Sequence, residues 1–206
     1  MVRVEAVRPA SGGPPLVEVM LTGGEVLRLH ARRLAGGGLG SGTPLAPGEL
    51  DGLRRLAVAD AAERRALRLI ARRPRSRAEL AGRLTGWGLD GASADETLDR
   101  LERFGLLDDR ALAGAVVDQR RRQGHGRLRV AADLERLAVD PDVAAEALAP
   151  EAGDEGELAR ARRELDRRFG GRPGDPRGVA RAAGHLARHG FDADTVAEAL
   201  GLDPGS

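Results

Sequence analysis

The feature that most constrains this chain is a repeat. Leu89-Asp90, Val139-Asp140 and Phe191-Asp192 align as three apolar-acid anchors, spaced 50 and then 52 residues apart. Five residues before each anchor stands a leucine: Leu84, Leu134 and Leu186. Seven residues after it stands a glutamate: Glu96, Glu146 and Glu198. Nine residues after it stands a leucine again: Leu98, Leu148 and Leu200. A period of this size marks stacked helical units, each too small to bury its apolar face alone. Composition agrees. Hydrophobic residues make up 41% of the 206, but aromatics only 2%, so a core must be built from Leu, Ala and Val, which suit closely packed helices.

Stop and start signals divide the chain into helices near 48–58, 61–73, 77–86, 94–104, 109–122, 127–137, 141–149, 155–169, 176–189 and 193–200. Asp60 with Glu63, Ser76 with Glu79 and Ser93 with Glu96 each fit a capping box. Asp140-Pro141 and Asp175-Pro176 pair an N-cap with proline at the first helical position. Gly88, Gly105 and Gly190 mark helix ends. The N-terminus differs. Val17, Val19 and Leu21, then Leu27 and Leu29, alternate with polar neighbours on either side of Thr22-Gly23-Gly24, which predicts a β-hairpin. Val2, Val4 and Ala6 supply a further short strand, and residues 36–48, rich in Gly and Pro, read as a loop. The expected fold is mainly α: tandem three-helix repeats in an elongated arc, with a small β-hairpin-containing N-terminal segment. The expected divisions are a β-rich segment 1–46, a linker helix 47–60, and three-helix repeats at 61–108, 109–150 and 151–206.

Charge is segregated along the chain. All 33 basic residues are arginine, and the net charge is only +1. Yet residues 62–77 set Arg64, Arg65, Arg68, Arg72, Arg73, Arg75 and Arg77 against Glu63 alone, a local balance of 7 − 1 = +6. Arg120, Arg121, Arg122, Arg127 and Arg129 form a second cluster, with no acid between 119 and 129. Residues 130–157 run the other way, with nine acids against Arg136. Single charge runs are usually solvated faces, but two arginine clusters beside an acid block point to a partner surface. Arginine is suited to that role because its planar fork matches phosphate and carboxylate. Gly124 and Gly126 flank His125 and let the backbone turn and approach a partner closely.

Other chemistries find little support. No cysteine is present, which excludes disulfides, thiolate catalysis and cysteine-ligated zinc. A stretch from Ser76 to Leu107 looks like a small winged helix. Its supposed recognition helix carries Asp95, Glu96, Asp99 and Glu102 against Arg100 and Arg103, a poor entrant to a phosphate-lined groove. His185 and His189 are spaced i, i+4, but no third ligand stands near them in sequence, so they read as ordinary surface or half-buried histidines and not as a metal site. The glycine run 36–42 lacks the lysine of a phosphate loop, and no carboxylate pair stands out for acid-base work. Trp87 is spaced to join the apolar face. No catalytic residues, cofactor or metal are assigned. With no apolar signal core and no run of membrane length, a cytoplasmic protein is the default.

Three stretches carry a resemblance to a known family. Arg72-Arg-Pro-Arg-Ser-Arg-Ala-Glu-Leu80, then Leu101 to Leu107-Asp108-Asp109, then Arg120 to Gly124-His-Gly126, closely resemble the RecX family. The likeness is strong over about residues 60–150. The N-terminal hairpin with Gly38-Leu39 and Gly42 to Leu45 is similar to the leading segment of longer members. The chain departs from the pattern at Leu112, where an aromatic is usual, and matches the third repeat loosely. The resemblance implies a monomeric, non-enzymatic RecA modulator: a modular helical body that lies in the groove of the RecA–single-stranded DNA filament and inhibits ATP hydrolysis, strand exchange and filament growth. Nine repeat helices side by side would reach on the order of 70 Å at ordinary packing distance, enough to touch more than one filament subunit. The expected contacts are Arg72, Arg73, Arg75, Arg77, Arg120, Arg121, Arg122, Arg127 and Arg129, facing RecA or single-stranded DNA; Arg120, Arg121, Arg122 and Arg127 make no internal ion-pair network on this reading. A general helical nucleic-acid-binding protein is the alternative.

Overall fold

In a computed structural model, the chain is described over residues 1–11, 15–34, 38–149 and 156–202. It divides into two compact units, Met1–Pro74 with Glu79–Leu107, and Arg75–Ala78 with Asp108–Ser206. None of the described helices is long and apolar enough to cross a membrane.

The first unit opens with strands β1 (Val2–Pro9), β2 (Leu16–Leu21) and β3 (Val26–His30), followed by a short β4 (Pro44–Leu45). They form one antiparallel sheet in the order β3-β2-β1-β4. The expected hairpin and third strand are present. β4 interrupts the loop expected over 36–48; two residues are too few to show a period. Alternation puts Val19, Leu21, Leu27 and Leu29 on one face, where they meet Val4, Leu45 and, from helix α1 (Pro47–Ile70), Leu50 and Leu53.

α1 overturns a second expectation. The break expected at Asp60 is absent, so the boundary drawn there falls inside one 24-residue helix. Asp60 is no cap. It is 3% exposed, accepts the His30 backbone N–H at 2.5 Å, and takes Arg33 Nε at 3.2 Å. A buried carboxylate persists only when so satisfied. The far half of α1 then packs Ala62 and Ala66 against α2 (Arg77–Gly86) and α3 (Gly91–Arg103), around Leu80, Leu84, Leu98 and Leu101. α3 begins earlier than expected, because Asp90 and not Ser93 is its cap: the Asp90 carboxylate accepts Ser93 N–H at 2.8 Å.

The second unit contains α4 (Asp109–Arg122), α5 (Arg127–Arg136) and α6 (Pro141–Leu148) around Val117, Val130 and Leu134. It also contains α7 (Glu157–Phe169), α8 (Pro176–Arg188) and α9 (Ala193–Leu200) around Leu165, Leu186 and Leu200. Buried alanines such as Ala113, Ala161 and Ala182 let the helices approach closely. Ser76, fully buried, belongs to this unit and donates its hydroxyl to the Leu137 carbonyl at 2.6 Å.

One capping motif explains the repeat. The N–H of Leu89, Val139 and Phe191 donates to the carbonyl of Leu84, Leu134 and Leu186 respectively. The preceding residue donates to the carbonyl three back in each copy, which completes a Schellman turn. That turn sets the five-residue interval between leucine and anchor, and apolar contact across it selects both side chains. Asp90, Asp140 and Asp192 then cap the next helix. The turn needs a left-handed residue. Gly88 (φ 96°) and Gly190 (φ 86°) provide it, and in the middle copy Ala138 takes φ 54°.

Candidate partner-binding surface

Within the first unit, Arg72 is exposed and pairs with no carboxylate among the described residues. Arg73 is exposed too, but reaches Glu79 at 3.2 Å and the Pro74 carbonyl at 3.2 Å. Arg68 is exposed on α1, and the Arg65 guanidinium lies 5.7 Å from the ring centroid of Trp87, which packs partly buried against the first helical core. In the second unit Arg75 and Arg77 are half-buried and engaged, with the Arg77 N–H donating to Asp109 at 2.8 Å.

The second arginine cluster divides. Asp133, on α5, is 4% exposed and gathers three guanidiniums: Arg120 at 2.6 Å, Arg136 at 3.0 Å and Arg129 at 3.8 Å. Burial alone would raise its carboxyl, but these cations outweigh that effect and hold it below the ordinary carboxylate range. The expectation of no internal ion-pair network is therefore wrong for Arg120, and Arg129, an expected partner contact, joins the same network. Counting acids within 119–129 missed Asp133, which lies across the turn on the next helix. Arg121 is half-buried and engaged. Arg122 and Arg127 remain exposed, and among the described residues no carboxylate pairs with either side chain; the Arg127 backbone N–H donates to Glu157 at 2.6 Å.

The glycines beside this cluster also serve the interior. The Gly126 N–H donates to the His189 carbonyl and the Leu128 N–H to the Gly190 carbonyl, both at 2.9 Å. A Cβ on Gly126 would collide with the Gly190 backbone, and one on Gly190 with the Arg129 backbone. The close approach read from Gly124 and Gly126 is thus an internal crossing of two turns. His125 stacks on His189 with centroids 5.1 Å apart. Burial, His189, Arg120 and Arg129 together push the His125 imidazole below its ordinary range.

The acid block is likewise partly absorbed. Asp133 is internal, Asp140 caps α6, and Glu146 pairs with Arg110 at 3.1 Å. Glu151, Asp154 and Glu155 lie outside the described residues. A basic face that the sequence reading missed sits further on. Residues 157–189 carry nine arginines against four acids, or +5. Of these, Arg162, Arg168, Arg177, Arg181 and Arg188 are exposed. Arg177, Arg181 and Arg188 share one side of α8 by helical spacing. The charge count was the available signal.

Residues 62–101 match the family model described as RecX, first three-helix domain, and residues 108–148 the one described as RecX, second three-helix domain. A regulatory protein RecX of Halorhodospira halophila is 40% identical over 141 residues, which span 68% of this chain and 86% of that protein. The chain belongs to the RecX family. A regulatory protein RecX of Xanthomonas oryzae pv. oryzae is 38% identical over 141 residues, spanning 87% of its length. The fold agrees. A crystal structure of a regulatory protein RecX superposes with a TM-score of 0.69 at 18% identity, covering 98% of this chain and 99% of that one. The RecX structure from Lactobacillus salivarius gives 0.56 at 15% identity, covering 70% and 95%.

Proposed function

We propose that this chain is a monomeric cytoplasmic regulator that binds the RecA–single-stranded DNA filament and restrains ATP hydrolysis, strand exchange and filament growth. Membership of the RecX family is the observation that carries this reading. The exposed arginines support it: Arg72, Arg122 and Arg127, with the α8 face, offer guanidiniums to phosphates or acidic protein surface. Regulation here comes from binding energy alone, and a ligand shifts an equilibrium only by its differential affinity for two states. A body that contacts neighbouring filament subunits favours one filament geometry and resists the motions of the ATP cycle. The test is RecA ATPase on single-stranded DNA, titrated with the full chain. Inhibition well below one copy per RecA is expected. No effect at equimolar RecA, together with tight binding of bare single-stranded DNA, would replace this reading with that of a general nucleic-acid-binding protein.

A further inference from the structure

α7 and α8 bring three metal-ligating groups to one point in the second unit. Glu164 Oε1 lies 2.8 Å from His185 Nε2 and 3.9 Å from His189 Nδ1. The three donor atoms fall within 4.8 Å of one another. Tetrahedral zinc with bonds of about 2.0–2.2 Å separates its ligands by roughly 3.3–3.5 Å, so the observed distances straddle what an ion would impose. His185 lies in the last turn of α8 and His189 is its C-cap, four residues on, while Glu164 faces them from α7.

The cluster is not complete as a hydrogen-bond network. Glu164 is 3% exposed, and Arg167 takes its other oxygen through Nε at 3.0 Å and Nη2 at 2.6 Å. That arrangement fixes the carboxylate and turns Oε1 toward the histidines, the part a supporting residue plays behind a metal ligand. His185 uses Oε1, but His189 Nδ1 is buried with no hydrogen-bond partner. A buried polar atom left bare is costly and calls for an occupant. The rings of His185 and His189 sit 4.2 Å apart, which brings two imidazoles into reach of one ion. Gly124 permits the arrangement, since a Cβ there would lie 2.9 Å from Glu164 Oε2.

We propose that Glu164, His185 and His189 form a divalent-metal site of the two-histidine, one-carboxylate class, suited to Zn2+, with water completing the coordination. Nitrogen and carboxylate donors match a borderline cation and not Ca2+ or Mg2+, which take oxygen cages. The ion ties α7 to α8 and steadies His189, whose carbonyl accepts Gly126 at the crossing of the two turns.

The experiment is calorimetric titration of ZnCl2 into the untagged full chain, stripped of metal beforehand, with Co2+ as a spectroscopic substitute. One Zn2+ per chain is expected, with a rise in melting temperature and the ligand-field absorption of tetrahedral cobalt. Uptake should weaken as pH falls, because protons compete for the ligands. His185→Gln and His189→Gln should each lower affinity at least ~100-fold, the upper end of what losing even a supporting residue costs. His30→Gln, in the first unit, should leave uptake unchanged. Circular dichroism without metal establishes that each variant is folded. The proposal is overturned by no uptake at millimolar Zn2+, by uptake that survives the double His185→Gln, His189→Gln substitution, or by octahedral cobalt spectra in the unaltered chain.

Discussion

Replacing Ala138 by glycine should stabilise the second unit. Ala138 holds φ 54° at the turn where Gly88 and Gly190 stand in the other copies. An L residue in the left-handed region costs about 1–2 kcal/mol that glycine does not. Against this, glycine gives the unfolded chain extra freedom worth about 0.4–1 kcal/mol. Ala138 is exposed, so removing its methyl forfeits little burial. The net expectation is a gain of ~0.5–1 kcal/mol. Urea denaturation followed by helical circular dichroism reads this as a higher midpoint at unchanged slope. The sign is the test. The same substitution inside an ordinary helix costs roughly 0.5–1 kcal/mol, so a lowered midpoint would show that residue 138 does not carry the left-handed turn and would refute the Schellman account of the repeat. Gly88→Ala supplies the mirror case. Its Cβ would meet Val58 at an ordinary 3.6 Å, so its expected loss of about 1 kcal/mol comes from the backbone.

Gly190→Ala should cost more, about 3 kcal/mol, because a left-handed penalty adds to a collision with the Arg129 backbone; loss comparable to Gly88→Ala would mean the two turns do not cross closely. Asp133→Asn should destabilise by about 1–2 kcal/mol at neutral pH, a value kept low because Arg129 and Arg136 are largely solvated. Since the folded-state pKa of Asp133 is depressed, its contribution is present above the unfolded value of about 3.9 and fades as pH falls through the lower folded one; the gap between the two proteins in urea midpoint should close only in acid. Arg72→Ala, Arg122→Ala and Arg127→Ala combined should change stability by no more than ~0.5 kcal/mol each and weaken co-sedimentation with RecA filaments; unfolding with binding intact would reverse their assignment.

What the sequence made legible follows from which interactions are local. The anchors, their leucines and the aspartate caps recur because a Schellman turn and an N-cap each close within six residues. Helix ends at Gly105 and Gly190 were legible for the same reason. Asp60 was not: its donors, His30 and Arg33, stand 30 and 27 residues away, and a local reading turned a tertiary anchor into a cap. Charge counting found where arginines gather but could not tell Arg122, which is exposed, from Arg120, which Asp133 holds. Glu164 carried no signal as a ligand, since the histidines it meets lie beyond its own helix, 21 residues on in the case of His185.

The length of α1 has a consequence for how the molecule comes apart. Its first half completes the sheet and its second half completes the first helical core, along a rod of about 36 Å. Neither half can melt without opening the core it serves, and the rod transmits loss of one core to the other. The sheet is therefore not a detachable appendage. Heating or pulling on the N-terminus should dismantle strands and helices of this unit in a single step, and a cut at residue 60 would ruin both.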